Sequence, residues 1–407
     1  MMIPRSSFYI LALLSFVAAP TRSHAQQFKL LHSFGYGNDG ASPDARLTSD
    51  SQGNLYGTTP DGGTPSANCP DGCGTVYELN AADNYAESVI HSFEGPDGAL
   101  PFASNLTFGP DGSLYGVTNE GGNLTACKGG CGTVFRLTPS RGAWTEQVLH
   151  SFTRGADGAE PNGGVIFDNK GNLYGVTIAG PRGAGTVFKL SLSAQNNEIA
   201  SYSLPTALEG AAGKLVADIN GNVFGVAPDG GQYGRGAIFE LTASTNGPTL
   251  QVIYSFCAQT GCPDGMTPNG NLAIRGSNLY GTAPYGGPNN AGVVFELAPI
   301  VSGWRETTIY GFSATGATDG AVPEDGPVFD QSGTLYGTTE AGGPVDNGTV
   351  FSITLNGANA TEHVIHFFDG TDGATPYAAP LPYKGNLFGT TSKDGQYDSG
   401  TVYQIAP

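Results

Sequence analysis

The stretch Asn172-Leu-Tyr-Gly-Val-Thr177 is one of seven versions of the same phrase, and its repetition decides the fold. The aromatic residues of the seven phrases are Tyr56, Tyr115, Tyr174, Phe224, Tyr280, Tyr336 and Phe388. They are separated by 59, 59, 50, 56, 56 and 52 residues. This period, in a chain with 63 glycines among 407 residues, is typical of an all-β repeat architecture.

Each repeat contains three further phrases that read as strands. A short apolar run such as Val165-Ile-Phe167 precedes the Leu-Tyr-Gly phrase, and a tight Asp-x-x-Gly turn separates the two. A Gly-Thr-Val phrase follows, as in Gly74-Thr-Val-Tyr-Glu-Leu79, and a Ser-Phe phrase such as Leu149-His-Ser-Phe152 closes most units. Aromatic and β-branched residues between Gly, Asp and Asn turns predict strands. We name these strands A, B, C and D in chain order.

The ends of the repeat region predict a closed ring. The region starts with a lone strand D, Phe28 to Phe34, and finishes with strands A, B and C. In a ring the first strand completes the last blade and removes the exposed sheet edges. The sequence therefore predicts one all-β domain over residues 26–407, a seven-bladed β-propeller of four-stranded blades. An open solenoid or β-helix is the alternative, but it needs no complementary ends.

The phrases Gly53-Asn-Leu-Tyr-Gly-Thr-Thr59, Gly-Gly and Gly-Thr-Val-Phe-x-Leu resemble the GloVer (Gloeo-Verruco) repeat family over nearly all of residues 28–405. The resemblance implies an exported bacterial protein with tandem repeats and one of several kinds of C-terminal anchor. It implies no general function. Since no anchor follows the last repeat strand, we expect a freely soluble product.

The first 25 residues predict the compartment. Arg5 precedes an apolar run from Phe8 to Ala19, and Ser23-His-Ala25 is a small-x-small cleavage signal. The run is too short to span a bilayer. We interpret residues 1–25 as a signal peptide cut after Ala25. We therefore expect a secreted or periplasmic monomer without a membrane span.

The charge of the chain disfavours nucleic acid as a partner. Asp and Glu number 35 against 17 Lys and Arg, and the formal net charge is −18. Phosphate binding needs a basic face, which this composition does not offer.

The six cysteines form three local pairs: Cys69 and Cys73, Cys127 and Cys131, Cys257 and Cys262. The pairs fall in the B–C loops of blades 1 and 2 and in the D–A loop entering blade 5. B–C and D–A loops share one side of a propeller, which we call the loop face. In an exported protein the pairs predict three disulfides. The first four cysteines could instead bind zinc, but an oxidising compartment argues against this, so no metal site is predicted.

One position of strand D is histidine in four of the repeats. The residues in this position are His32, His91, His150, His366, Tyr254 and Tyr310. A set of histidines can indicate metal or acid–base chemistry. Strand D is the outer strand of each blade, however, so the histidines are expected to lie far apart. A half-exposed packing position is the preferred interpretation.

An Asp-Gly pair followed by proline recurs in six units. Its aspartates are Asp39, Asp97, Asp157, Asp264, Asp319 and Asp372. Asp-Gly is a strong turn signal. A ring of carboxylates could alternatively bind calcium, but no known calcium-loop spacing supports that, and no cofactor is predicted.

Candidate ligand-binding residues gather near blade 4, the irregular copy. Its entry, residues 203–210, lacks both the Ser-Phe and the Asp-Gly phrases. The candidates on nearby loops are Arg154, Arg182, Tyr233, Arg235 and Tyr285. Arginine pairs with carboxylates, and tyrosine offers an apolar ring with a hydroxyl, as a sugar or uronate site requires. Sequence drift in surface loops is the alternative.

Two classes of function follow. The first is a binding or interaction module that holds a glycan or protein on the loop face, which the lack of any catalytic motif favours. The second is a carbohydrate-active enzyme, such as a polysaccharide lyase, with its site near blades 3–5. There Tyr233 or Tyr285 would abstract a proton, and Arg182 or Arg235 would neutralise the uronate. A central channel lined by Arg, Tyr and carboxylates would favour the enzyme.

Overall fold

A computed structural model describes residues 27–181, 183–193, 197–205, 208–244, 247–313, 318–357 and 359–407. The predicted signal peptide and the candidate Arg182 lie outside the described residues. Seven antiparallel four-stranded sheets form a ring, which confirms the predicted seven-bladed β-propeller. Among the described residues there is one short 3-10 helix, Ala81–Asp83, and no helix long and apolar enough to cross a membrane.

The strands follow the predicted order in every blade, with strand A innermost and strand D outermost. In the order A to D they are, in blade 1, Thr48–Ser49, Leu55–Thr59, Thr75–Asn80 and Ala86–Ser92; in blade 2, Thr107–Phe108, Leu114–Thr118, Thr133–Ser140 and Ala143–Ser151; in blade 3, Ala159–Phe167, Leu173–Ala179, Thr186–Ser191 and Glu198–Ser203; in blade 4, Ala212–Ala217, Val223–Ala227, Ala237–Thr242 and Thr249–Ser255; in blade 5, Asn269–Arg275, Asn278–Ala283, Val293–Ile300 and Gly303–Gly311; in blade 6, Val328–Phe329, Leu335–Thr339, Thr349–Asn356 and Asn359–Phe367; and in blade 7, Leu381–Tyr383, Asn386–Thr391, Thr401–Ala406 and Gln27–Ser33.

The ring closes through blade 7 as predicted. Strand Gln27–Ser33 pairs antiparallel with Thr401–Ala406, from Gln27 opposite Ala406 to Ser33 opposite Thr401. A register shift between Leu30 and His32 interrupts the ladder. Strand D of the last blade thus comes from the beginning of the described chain, and no sheet edge is left open at the seam.

The Leu-Tyr-Gly phrase has its glycine because an aromatic ring of strand C lies directly across strand B. A Cβ on Gly116 would lie 2.5 Å from Cζ of Phe135. The same ring meets Phe93, the last residue of the preceding Ser-Phe phrase, edge to face at 5.2 Å. Five other blade junctions repeat this contact, in the pairs Phe34–Tyr77, Phe152–Phe188, Phe256–Phe295, Phe312–Phe351 and Phe368–Tyr403. The core therefore lies between neighbouring blades.

Two threonines of each typical blade form a buried hydroxyl pair. The threonine that ends the Leu-Tyr-Gly phrase on strand B bonds to the first residue of strand C, as Thr118 Oγ1 does to Thr133 Oγ1 at 2.8 Å. The equivalent pairs are Thr59–Thr75, Thr177–Thr186, Thr339–Thr349 and Thr391–Thr401. Blades 4 and 5 replace both members with apolar residues, namely Ala227–Ala237 and Ala283–Val293. Joint replacement avoids leaving one buried hydroxyl without a partner.

The D–A and B–C loops meet on one side of the ring, as predicted for the loop face. Backbone bridges join the two loops of a blade, for example Ala41 to Asp61 and Met266 to Tyr285. Two such junctions form small two-stranded sheets, Leu208–Glu209 with Asp229–Gly230 and Gly320–Ala321 with Ala341–Gly342.

The three predicted disulfides are confirmed on this face. They join Cys69 to Cys73, Cys127 to Cys131 and Cys257 to Cys262. They fit an oxidising compartment outside the cytoplasm. The opposite side of the ring, which carries the A–B turns, is called the turn face below.

Candidate functional site

The histidine position of strand D and the Asp-Gly turn form one structural device. His91 Nε2 lies 3.0 Å from Asp97 Oδ2, and the other oxygen of Asp97 accepts the Glu94 N–H. Tyrosine serves equally, since Tyr254 donates its hydroxyl to Asp264 at 2.8 Å. The remaining pairs are His32–Asp39, His150–Asp157, His366–Asp372 and Tyr310–Asp319. The predicted turn role of the aspartates is confirmed. Three histidines, His91, His150 and His366, bond to the aspartate of their own D–A loop. His32 Nε2 lies 3.6 Å from Asp39, beyond hydrogen-bond distance.

The centre of the ring is crossed by a hydrogen-bonded polar plug, which we define as Arg46, Asn105, Asn271 and Asp325. The Asn105 amide reaches Asn271 Oδ1 across the channel at 3.4 Å, and Asn105 Oδ1 accepts the Arg46 N–H at 2.8 Å. Asp325 accepts from Arg46 Nε at 2.5 Å and from the backbone N–H groups of Asn271 and Ala379 at 2.8 and 3.0 Å. The plug links blades 1, 2, 5, 6 and 7, so the channel is divided.

One cavity, of about 220 Å³, lies on the loop-face side of the plug and is called the mouth. It is lined by Asp44, Asn162, Asn269, Phe102 and Tyr377, together with Asn105, Asn271 and Asp325 of the plug. Asp44 precedes the innermost strand of blade 1, Asn162 lies within that of blade 3, and Asn269 begins that of blade 5. With Ala212 and Gly213 of blade 4 and Asp325 of blade 6, the mouth brings together residues from all seven blades.

Asp44 is the most unusual side chain of the mouth. It is only 5% exposed, and its Oδ1 accepts the Ala103 N–H at 3.0 Å. Its Oδ2 is buried without a hydrogen-bond partner among the described residues. Burial raises the pKa of Asp44 to about 7, because a low-dielectric environment disfavours the ionised form.

A second acidic group, Glu324, lies beside the mouth. Its Oε2 accepts from the Asn269 amide at 2.7 Å, and the residue is 8% exposed. Burial raises the pKa of Glu324, and the charges of Glu340 and Asp325 add to this effect. Among the described residues, no three of His, Cys, Asp and Glu form a cluster that could hold a metal ion.

Aromatic rings form part of the wall of the mouth. Phe102 is 42% exposed and packs edge to face on Tyr377, with ring centroids 6.3 Å apart. Tyr377 is half-buried, and its hydroxyl lies 3.4 Å from the Asn269 amide. Burial first, and then the charges of Glu324, Asp44 and Glu340, raise the pKa of Tyr377. The phenol is therefore a neutral donor or acceptor at physiological pH.

The four described candidates predicted from the sequence, Arg154, Tyr233, Arg235 and Tyr285, do not line the mouth. Thr267 N–H donates to the Arg235 carbonyl at 2.7 Å, and Tyr285 pairs with Met266, so these two loops meet at one segment. Arg154 instead approaches Glu160 of its own loop, at 3.9 Å.

The two tyrosines among these candidates are both well exposed, Tyr233 at 44% and Tyr285 at 45%. Tyr285 lies close enough to Glu324 and Glu340 for their charges to add to the effect of burial in raising its pKa. The role of these loop residues stays a prediction. Sequence reasoning missed the mouth, although its residues follow a repeated phrase. In five of the six copies of the Asp-Gly-x-x-Pro phrase, the residue directly after the proline lines the mouth, namely Asp44, Phe102, Asn162, Asn269 and Tyr377. The phrase was interpreted as a turn, and the variable residue after it was not considered.

Several solved structures are similar to the chain at low sequence identity. A candidate 6-phosphogluconolactonase from Bacteroides fragilis superposes with a TM-score of 0.54 at 12% identity, covering 85% of this chain and 96% of that chain. A second, from Bacteroides uniformis, gives a TM-score of 0.53 at 12% identity and covers 79% and 84%. A PQQ-bound aldose sugar dehydrogenase from Streptomyces coelicolor gives 0.43 at 12% identity and covers 93% and 98%. The first two likenesses show the fold alone.

No curated protein sequence matches the chain. The model of the Gloeobacter/Verrucomicrobia repeat, however, matches residues 20–211 and 179–403. These two overlapping regions span nearly all of the propeller, and they contain the Leu-Tyr-Gly and Gly-Thr-Val phrases that build strands B and C. The chain therefore belongs to the Gloeobacter/Verrucomicrobia repeat family.

Proposed function

We propose that this protein is an exported glycan-binding module whose ligand enters the loop-face mouth of the central channel. One observation carries the proposal. The same cavity combines an exposed aromatic ring, Phe102, with a buried carboxylate, Asp44, that has one oxygen without a partner. Concave sites with apolar walls and a few convergent polar groups are the usual form of small-ligand sites.

The aromatic wall suits the apolar face of a sugar ring. A pyranose presents C–H groups on its faces and hydroxyls around its edge. Phe102 offers a ring in contact with solvent, and Tyr377 adds a second ring with a polar tip. Aromatic side chains contribute large apolar contact areas at low conformational cost.

The polar residues suit the hydroxyl edge. Leaving a buried acceptor such as Asp44 Oδ2 without a donor costs about 1–3 kcal/mol, and a ligand hydroxyl would supply that donor. Asn162 and Asn269 add amides on the same wall.

The local charge selects among sugars. Asp44, Glu324 and Glu340 make this region acidic, and a uronate would be repelled. We therefore expect a neutral or amino sugar.

A carbohydrate-active enzyme is the second candidate, and Asp44 favours it. A carboxyl group with a pKa of about 7 is protonated in part at neutral pH and can act as a general acid in glycoside cleavage. A lyase with Tyr285 as the base is less favoured, since burial and two nearby carboxylates raise the pKa of that phenol.

Binding should be measured with a glycan array, followed by titration calorimetry on the hits. We expect Phe102→Ala to weaken binding about tenfold or more, as loss of a stacking contact worth about 1.4 kcal/mol requires. Tyr397→Ala is the matched control, because Tyr397 is 54% exposed on a blade 7 loop and does not line the mouth. Absence of glycan binding, or binding that survives Phe102→Ala, would overturn the proposal.

The isosteric variant Asp44→Asn separates the two candidates. It keeps an oxygen for the Ala103 N–H and removes the acid. For a binding module we expect weaker affinity and no product from the bound glycan. For an enzyme we expect product from the parent protein, and loss of turnover with retained binding in the variant.

A further inference from the structure

The turn-face side of the plug holds a second and larger cavity, of about 450 Å³. Its polar floor is formed by Arg46, Asn105, Lys214 and Asn271. Its volume lies within the roughly 300–1,000 Å³ typical of small-molecule sites. The charged side chains that line this cavity are cationic, whereas those at the mouth are acidic.

Lys214 is the decisive side chain of this cavity. Its Nζ donates to Thr107 Oγ1 at 2.5 Å and approaches the Leu106 carbonyl at 3.5 Å. An ammonium group has three N–H donors, so one is left for a ligand. None of the carboxylates in the described part of the chain forms an ion pair with Lys214.

The environment makes this cation costly without an anion. Burial, and then the charge of Arg46, lower the pKa of Lys214 to about 8. Arg46 itself is neutralised, since it bonds to Asp325 and to the Gly326 carbonyl. The cavity therefore carries one unmatched positive charge, in a chain whose formal net charge is −18.

The walls of the cavity are apolar. Leu47, Leu106, Leu215 and Leu272 surround the floor, and Ile166 and Ile274 extend the wall toward the turn face. A cation within such walls attracts an anion more strongly than it would in water. A hydrated inorganic ion would leave these walls without a partner, whereas an organic anion would cover them.

The cation also occupies a position where the repeat usually has none. The residue just before the inward leucine or valine of strand A is Asn105 in blade 2, Gly164 in blade 3 and Asn271 in blade 5. Blade 1 has a second cation there, Arg46, which is paired with Asp325. Blade 4, the irregular copy, has Lys214 there.

We propose that the turn-face cavity binds a small organic carboxylate with an apolar body, whose carboxylate pairs with Lys214. This site is separated from the mouth by the plug, and it rests on different residues from the proposed glycan site. Either proposal can fail without the other.

Calorimetric titration of the full protein with benzoate and with cyclohexanecarboxylate tests the proposal. We expect saturable binding of both acids and none of benzamide, which has nearly the same shape without the charge. Lys214→Met should weaken benzoate binding about tenfold or more, because a charge-assisted hydrogen bond is lost. Lys214→Arg should retain most of the affinity.

The matched control is Lys128→Met, which removes an exposed lysine from a blade 2 loop. A circular dichroism melt of each variant checks the fold, and removing the buried charge should not lower the melting temperature. Equal binding of benzoate and benzamide, unchanged affinity in Lys214→Met, or no binding of either acid at millimolar concentration would overturn the proposal. Neutral glycans that bind the mouth should not compete with benzoate.

Discussion

The polar plug makes a quantitative prediction through Asp325. The change Asp325→Asn keeps the size of the side chain and removes its charge. Asp325 is 4% exposed and accepts from Arg46 Nε, Asn271 N and Ala379 N. N–H donors face both carboxylate oxygens of Asp325. In Asp325→Asn, the side-chain amide nitrogen therefore faces an N–H group whichever oxygen it replaces.

The magnitude follows from these contacts. At least one hydrogen bond to a charged acceptor is lost, at about 1.5–3 kcal/mol. The guanidinium of Arg46 is also left in a half-buried position without its counter-ion, and breaking such a pair typically costs roughly 3–5 kcal/mol in total. We expect the free energy of unfolding to fall by about 3–5 kcal/mol.

Urea denaturation followed by tryptophan fluorescence and circular dichroism measures this loss as a lower midpoint at an unchanged m-value. A second pair of proteins, Arg46→Met and Arg46→Met/Asp325→Asn, completes a double-mutant cycle. Without the guanidinium, Asp325→Asn should cost roughly 2 kcal/mol less. A loss below about 1 kcal/mol in the single variant, or the same loss in both backgrounds, would refute the plug as a coupled network.

Three other expectations concern the repeated devices. Thr118→Ala should cost about 1–3 kcal/mol in urea unfolding, because the hydroxyl and the backbone N–H of Thr133 both lose their bond to Thr118 Oγ1. The double change Thr118→Ala/Thr133→Val, the pair that blade 5 has, should cost clearly less than the sum of the single changes. Burial raises the pKa of Glu146 to about 7, so the folded state binds the proton more tightly and stability is lost as pH rises from about 4.3 through 7. Glu146→Gln should therefore raise the free energy of unfolding at pH 8 by about 1 kcal/mol after screening, seen as a higher urea midpoint, and leave it unchanged at pH 4. Hydrogen bonds from His91 and the local backbone outweigh burial and lower the pKa of Asp97. His91→Phe should therefore lower the free energy of unfolding by about 1 kcal/mol at pH 7, whereas His91→Tyr, the residue of blades 4 and 5, should lower it little. Equal losses of stability in the two variants would contradict the hydrogen-bonding role.

The sequence predicted the architecture because a blade is built from local rules. Strand B needs glycine wherever an aromatic ring of strand C crosses it, as Phe135 crosses Gly116. Each such requirement recurs at a fixed place in every repeat, and seven repetitions make it visible. The cysteine pairs were also predictable from local sequence, because each pair lies within one short loop.

The hydrogen bond between two repeated positions was harder to predict from the sequence. The histidine position and the Asp-Gly turn were both recognised, but their hydrogen bond was not. His91 and Asp97 are six residues apart on either side of a loop, and only the folded loop brings the two side chains within 3.0 Å.

What the sequence by itself determined is thus the ring of blades, its closure and its two faces, since these depend on backbone and packing requirements that every copy repeats. The contents of the channel were decided only by the tertiary structure. Asp44, Phe102 and Tyr377 of the mouth occupy the position after the proline of the Asp-Gly-x-x-Pro phrase, and Lys214 lies below the plug in the irregular blade 4. Such residues have a fixed place in the repeat but no fixed identity, so the repeat does not reveal which side chains meet. They become neighbours because closing the ring points the innermost strands at one axis.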